Sequence, residues 1–216
     1  MSSLPKTILF LNDYQAPYCG SFIFSLYRLE TALLARGTRC IWVFPKGARE
    51  RDWCKELQND ERSVAFLSGN TLQQLHMLST LIRNYRVELV HAHFGLFGRA
   101  LLAALLHPRL KLIQHVHSDF SGNMPLPLKH RIIRTFRNHI TPRRIRRITV
   151  GVHMAKKERN SIYIPNGVDF SRAADAASTR EQLRMQLNIT DKETFVLLFG
   201  WSPYIKGVDI AARAKQ

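Results

Sequence analysis

Short runs of unbroken apolar residues alternate along this chain with longer stretches in which apolar residues return every three or four positions. Ile8–Leu11, inside TILFL, is an unbroken run, as expected of a strand covered on both faces. After a turn holding Pro17 and Gly20, Phe22, Leu26, Leu29 and Leu33 recur at helical spacing, and Gly37 supplies a stop. CIWVF then reads as a strand, RDWCKEL as a short helix, VAFL as a strand and LQQLHMLSTLI as a helix. VELVHAHF (strand), GRALLAALL (helix) and KLIQHV (strand) continue the series. Such alternation predicts parallel βαβ units with helices on both faces of one sheet, a Rossmann-like doubly wound α/β fold.

The rhythm loosens between Phe120 and Arg147. ITV and SIYI follow as short strands, and Pro165 with Asn166-Gly167 marks the end of the sheet. STREQLRMQL reads as a helix, with Ser178 as N-cap and Glu181 completing a capping box. FVLLF (195–199) opens a fresh βα unit. The predicted organisation is a domain over residues 1–167 and, over 168–216, a linker with the incomplete start of a second α/β domain.

Composition changes this picture little. Of 216 residues, 45% are apolar and 22% charged, as in an ordinary globular protein. The longest apolar run, ALLAALL, is far short of the ~18 residues of a membrane span. The opening stretch reads as a first strand and not as a signal peptide. Three cysteines without a C-x-x-C pair suit a reduced, cytoplasmic chain.

In open parallel sheets ligands gather beyond the carboxyl ends of the strands. The first such turn, NDYQAPYCGSF, lacks a dinucleotide fingerprint. Gly20 and Ser21 still offer open backbone and an N-cap at a helix start, where free N–H groups favour anions. Next come two H-x-H pairs, His91 with His93 and His115 with His117. Each pair projects to one face of its strand, open to structural, substrate-contacting or metal-ligating roles. In the last turn Lys206 stands before Gly207 at a helix mouth, where a single ammonium suits a diphosphate.

IPNGVD, followed some thirty residues on by an apolar strand, a glycine and KGVD, resembles the centre of a family 4 retaining glycosyltransferase. The glycine-bearing first turn, LLARG, VHAHFG and HVH are similar to that family's amino-terminal domain, in order. The resemblance implies the GT-B architecture, an acceptor-side domain facing a nucleotide-sugar domain. It implies sugar transfer to a glycan or lipid-linked acceptor, as in cell-surface polysaccharide synthesis. It implies no cofactor and no metal, the departing diphosphate being stabilised by positive side chains and helix dipoles. Carried over by position, His117 is the catalytic candidate; Gly20, Lys206 and Gly207 bind the donor phosphates; His93 and His115 are acceptor-side candidates. Trp201 stands where the family commonly has an arginine clamp, and no later glutamate pair precedes Gln216. On this likeness the chain is a truncated enzyme, inactive alone. A zinc-dependent hydrolase built on the H-x-H pairs, and a non-catalytic basic module binding membrane or nucleic acid, are the competing readings.

The net charge of +16 is uneven. Residues 120–157 hold 10 Lys/Arg and no Asp/Glu. Within Lys129–Arg147, Ile132, Ile133, Phe136 and Ile140 make a helical stripe beside the arginines. That pattern suits either an ordinary solvated helix or peripheral contact with the anionic inner face of a membrane; with aromatics sparse, nucleic acid ranks below both. If the membrane reading holds, replacing Arg131, Arg134 and Arg137 with glutamine should abolish sedimentation with acidic vesicles, at about 1 kcal/mol lost per basic residue. Sedimentation equal to the parent's would leave a solvated surface.

Overall fold

In the computed structural model the described residues are 4–60, 62–117, 145–157, 161–167, 176–190, 192–196 and 207–214. The chain divides into two compact units, Met1–Asp169 and Phe170–Gln216.

The first unit is built on seven parallel strands: β1 (Thr7–Asn12), β2 (Arg39–Pro45), β3 (Val64–Leu67), β4 (Leu89–His93), β5 (Lys111–Val116), β6 (Ile145–Thr149) and β7 (Ser161–Tyr163). Their order across the sheet is β3-β2-β1-β4-β5-β6-β7, the doubly wound arrangement expected from the alternation. All six residues of β1 are buried, because it lies between β2 and β4 and is covered on both faces.

Alternate residues of the strands feed two separate cores. Ile8 and Phe10 of β1 join Trp42 and Phe44 of β2 under the helices α1 (Gly20–Leu34) and α2 (Asp52–Asn59). Leu9 and Leu11 join Ile41, Val43, Val90 and Leu112 under α3 (Thr71–Asn84) and α4 (Phe97–Leu106). Helix α3 begins in a capping box in which Asn70 and Gln73 satisfy each other's backbone N–H groups. Helix α4 follows a 3-10 turn, Phe94–Leu96, in which Phe94 takes a positive φ of 59°.

The buried stripe of α1 differs from the one expected. Ile23, Leu26, Glu30 and Leu33 face the sheet, and Leu29 turns outward. Glu30, 3% exposed, replaces a leucine in the core because it accepts hydrogen bonds from Trp42 Nε1 (2.6 Å) and Arg62 Nε (2.7 Å). Helix α1 also starts one residue before Ser21, at Gly20, with no side-chain cap, so Ser21 lies in the first turn and not at the N-cap. Strand β6 reaches back to Ile145, and Arg146 and Arg147 therefore belong to a strand; Lys156 and Lys157 end a short helix, Val152–Lys157, and residues 120–144 of the basic stretch lie outside the described residues.

In the second unit, helices span Ala176–Gln186 and Val208–Arg213. The former begins two residues before Ser178, so the predicted capping box is not its start: Ala176 and Ala177, strong helix formers, extend the first turn. Of FVLLF, Phe195 and Val196 are exposed and not in a strand, and residues 197–199 lie outside the described residues. Among the described residues no helix is long and apolar enough to cross a membrane.

Glu30→Ala is expected to lower the unfolding free energy by about 2–3 kcal/mol, because an indole N–H and a guanidinium lose their acceptor in a dry core. Glu30→Gln, which keeps an acceptor for Trp42, should lose less. Urea denaturation with unchanged slope would report both.

Candidate functional site

The sheet order reverses direction between β1 and β4, which makes the carboxyl ends of those strands the crevice where such folds take ligands. Asn12 at the end of β1 pairs with His93 at the end of β4, and Asp13 N–H donates to the His93 carbonyl (3.3 Å). Register then does what spacing alone could not. His93 lies opposite His115 of β5, so His91, His93, His115 and His117 all leave the sheet on one face, the face under α1.

Their rings form one cluster. Centroids are 4.2 Å apart for His91–His93, 5.0 Å for His93–His115 and 4.2 Å for His115–His117, and His91 lies parallel to His115 at 5.5 Å. Aromatic rings wall it in. Phe10 abuts His91, Phe22 of α1 presents its edge to His93 and His117, and Phe94 stacks on His117 at 4.5 Å. His93 Nδ1 and His117 Nε2 share a hydrogen bond of 2.9 Å. The side chain of Asn166, from PNG, is hydrogen-bonded to His117 as well. Its loop lies against α1: a methyl group on Gly167 would stand 3.3 Å from Ser25 Oγ.

Burial dominates the electrostatics. Loss of hydration, reinforced by the neighbouring imidazoles, pushes His91 and His115 down to about 3 and His93 well below the ordinary histidine value. Burial lowers His117 to about 4 against the opposing hydrogen bond from Asn166. All four rings are therefore neutral at pH 7. One ring nitrogen from each of His91, His93 and His115 lies within 4.8 Å of the others, close enough to hold a metal ion.

Of the residues singled out in the sequence, His93, His115 and His117 thus come together, with His91 as a fourth member. His93 is 1% exposed and meets His117, whereas His115 is half-buried. Gly20 opens α1 with φ +60°, and a methyl group there would sit 3.0 Å from Tyr14 Oη, so both backbone and space favour glycine. Gly207 takes φ +69° just before the helix Val208–Arg213, and Lys206 lies outside the described residues. Sequence reasoning missed Asn166 as a partner of His117, although IPNGVD, which contains it, was singled out as a motif. It also missed a cavity of about 170 Å³ at the other side of the strand ends, lined by Asp13, Pro45, Leu67, Gln74, Leu96 and Arg99.

Residues 24–172 match the pattern of Glycosyltransferase Family 4. The chain belongs to that family. A glycosyltransferase from Rickettsia africae is similar in fold, with a TM-score of 0.65 over 97% of this chain at 14% identity. MurG from Acinetobacter baumannii is similar with a TM-score of 0.51 over 76% of the chain at 13% identity. This family 4 chain spans 57% of the length of the first and, by the matched part, 47% of the second. No curated protein matches it in sequence.

The buried imidazoles make stability depend on pH. In an unfolded chain a histidine titrates near 6.5, above these folded-state values, so the unfolded state binds more protons as pH falls. The stability they contribute is complete above about pH 6.5 and is lost progressively toward their folded pKa values. In metal-free buffer the urea midpoint should fall between pH 7 and 5, and His115→Gln should flatten that slope. An unchanged slope in the variant would contradict a neutral, buried His115.

Proposed function

We propose that this family 4 chain serves the transfer of a sugar from a nucleotide-sugar donor to a glycan or lipid-linked acceptor, with His117 at the reacting sugar. The observation that carries the reading is the position of His117 at the carboxyl end of β5, between His93 and Asn166 of the PNG turn. A neutral imidazole held on both sides offers a fixed dipole where charge develops on the departing sugar, the kind of preorganisation that needs no rearrangement in the transition state. On this reading Gly20 lets backbone approach the donor phosphates, and Lys206 and Gly207 meet the leaving diphosphate, whose departure asks for no metal. Of the acceptor-side candidates, His93 is 1% exposed and the ring nitrogens of His115 are buried, so both support the acceptor side from behind His117. Asp13 and Arg99, in the cavity beside β1, extend the acceptor side with a carboxylate and a guanidinium for sugar hydroxyls.

The test offers a panel of nucleotide sugars with glycan and lipid-linked acceptors and measures release of the nucleoside diphosphate. It is run with this chain alone and with any residues its gene encodes after Gln216. His117→Ala should lower kcat on the order of 100-fold, the loss typical of one transition-state dipole, with donor KM little changed. Arg99→Ala should raise KM for the acceptor and leave that for the donor. Transfer that is indifferent to His117→Ala would overturn the assignment, and hydrolysis of the donor without any transfer would overturn the function.

A further inference from the structure

Beside His117, the three histidines His91, His93 and His115 have buried ring nitrogens without a partner among the described residues. Buried polar atoms in folded proteins are almost always paired. Here His91 Nε2, His93 Nε2 and both ring nitrogens of His115 are buried without a hydrogen-bond partner. Neutral imidazole carries one N–H and one lone pair, and a buried lone pair left without a partner is unfavourable unless something electron-poor accepts it.

We infer that His91, His93 and His115 form a site for one divalent cation of the zinc class, with His117 as the hydrogen-bonded support of the central ligand, His93.

The sheet supplies the spacing. His91 and His93 come from one strand and His115 from its register neighbour, so the backbone of two adjacent strands fixes the three ligands. Their ligating nitrogens lie within 4.8 Å of one another. A tetrahedral zinc ion with Zn–N bonds of about 2.0–2.1 Å brings nitrogens to about 3.4 Å, which small ring rotations on fixed strands provide.

The surroundings distinguish ligands from supports. His93 Nδ1 is held by the 2.9 Å hydrogen bond to His117 Nε2, so the ring nitrogen of His93 left without a partner is Nε2. In the tautomer that suits a ligand, His93 Nδ1 donates that bond and Nε2 keeps the lone pair. Metal-bound histidines almost always donate their second N–H in this way, which fixes ring orientation and raises ligand basicity. His117, occupied on both sides, is thereby a support and not a ligand.

The chemistry of the donor set selects the ion. Three imidazoles without a carboxylate suit zinc or a similar transition metal and not magnesium or calcium, which require oxygen ligands. The fourth position falls to water, entering past half-buried His115. Such an ion would tie β4 to β5 beneath the reacting end of His117. It is separate from the donor phosphates, and the inference stands independently of the transfer reading.

The experiment titrates the purified chain, stripped by chelator, with Co²⁺ and then Zn²⁺. One Co²⁺ per chain should bind with the strong visible absorption of a tetrahedral site, Zn²⁺ should displace it, and Zn²⁺ should raise Tm. His115→Gln should abolish binding; being half-buried, it is the variant most able to fold, and circular dichroism checks that it has. His117→Asn keeps all three ligands and should weaken Zn²⁺ by about 10–100-fold, the usual effect of losing a supporting partner. His76→Ala, on the exposed surface of α3, should change nothing. Less than stoichiometric Co²⁺ binding by the parent chain overturns the proposal, as does binding that survives His115→Gln in a folded variant or disappears in His76→Ala.

Discussion

The pairing of β1 with β4 is the constraint on which the rest of this unit depends. Five consecutive residues of β4 lie against β1, from Leu89 beside Ile8 to His93 beside Asn12. That pairing closes the half-sheet β3-β2-β1 against the half that continues through β5, β6 and β7. It also decides which way every residue of both strands faces, since a slip of one position would exchange their faces. In the observed register the aliphatic Leu9, Leu11, Val90 and Ala92 enter one core, while Phe10 and the two histidines of β4 enter the other. The histidine cluster is therefore a product of register before it is a product of chemistry.

That origin explains what could be read in the chain and what could not. VAFL and KLIQHV coincide with β3 and β5 residue for residue, because short runs between helical stretches mark strands of a parallel sheet. Helix α1 was legible as a helix, but not its buried face. Glu30 belongs to the core only because Trp42 and Arg62 come from β2 and the approach to β3 to meet it, a tertiary fact with no local signature. The two H-x-H pairs were visible as pairs. Their merger needed β4 and β5 to be neighbours in one particular register, and the Asn166 contact needed a turn some fifty residues beyond His117 to return to it. Ser178 misled because alanines before it propagate a helix that a capping signal was expected to start.

A polar cluster inside an otherwise aromatic pocket is expensive to keep, and its retention in a family 4 chain directs attention to the strand ends and not to the body of the sheet. Apolar side chains in the same positions would satisfy packing without leaving nitrogens unpaired. Phe22 and Phe94 hold the His117 ring by edge and face, so its orientation is set by packing as well as by hydrogen bonds.

The central position of β1 also has a consequence in time. Translation delivers β1 first, then β2 and β3, and β4 only some eighty residues after β1, which at ordinary elongation rates is a delay on the order of ten seconds. Throughout that interval β1, buried along its whole length in the finished sheet, has an open edge without its β4 partner. Until Leu89–His93 emerges, that edge is free to pair elsewhere. A synonymous change that slowed elongation ahead of β4 would lengthen that exposure without altering a single contact in the finished protein.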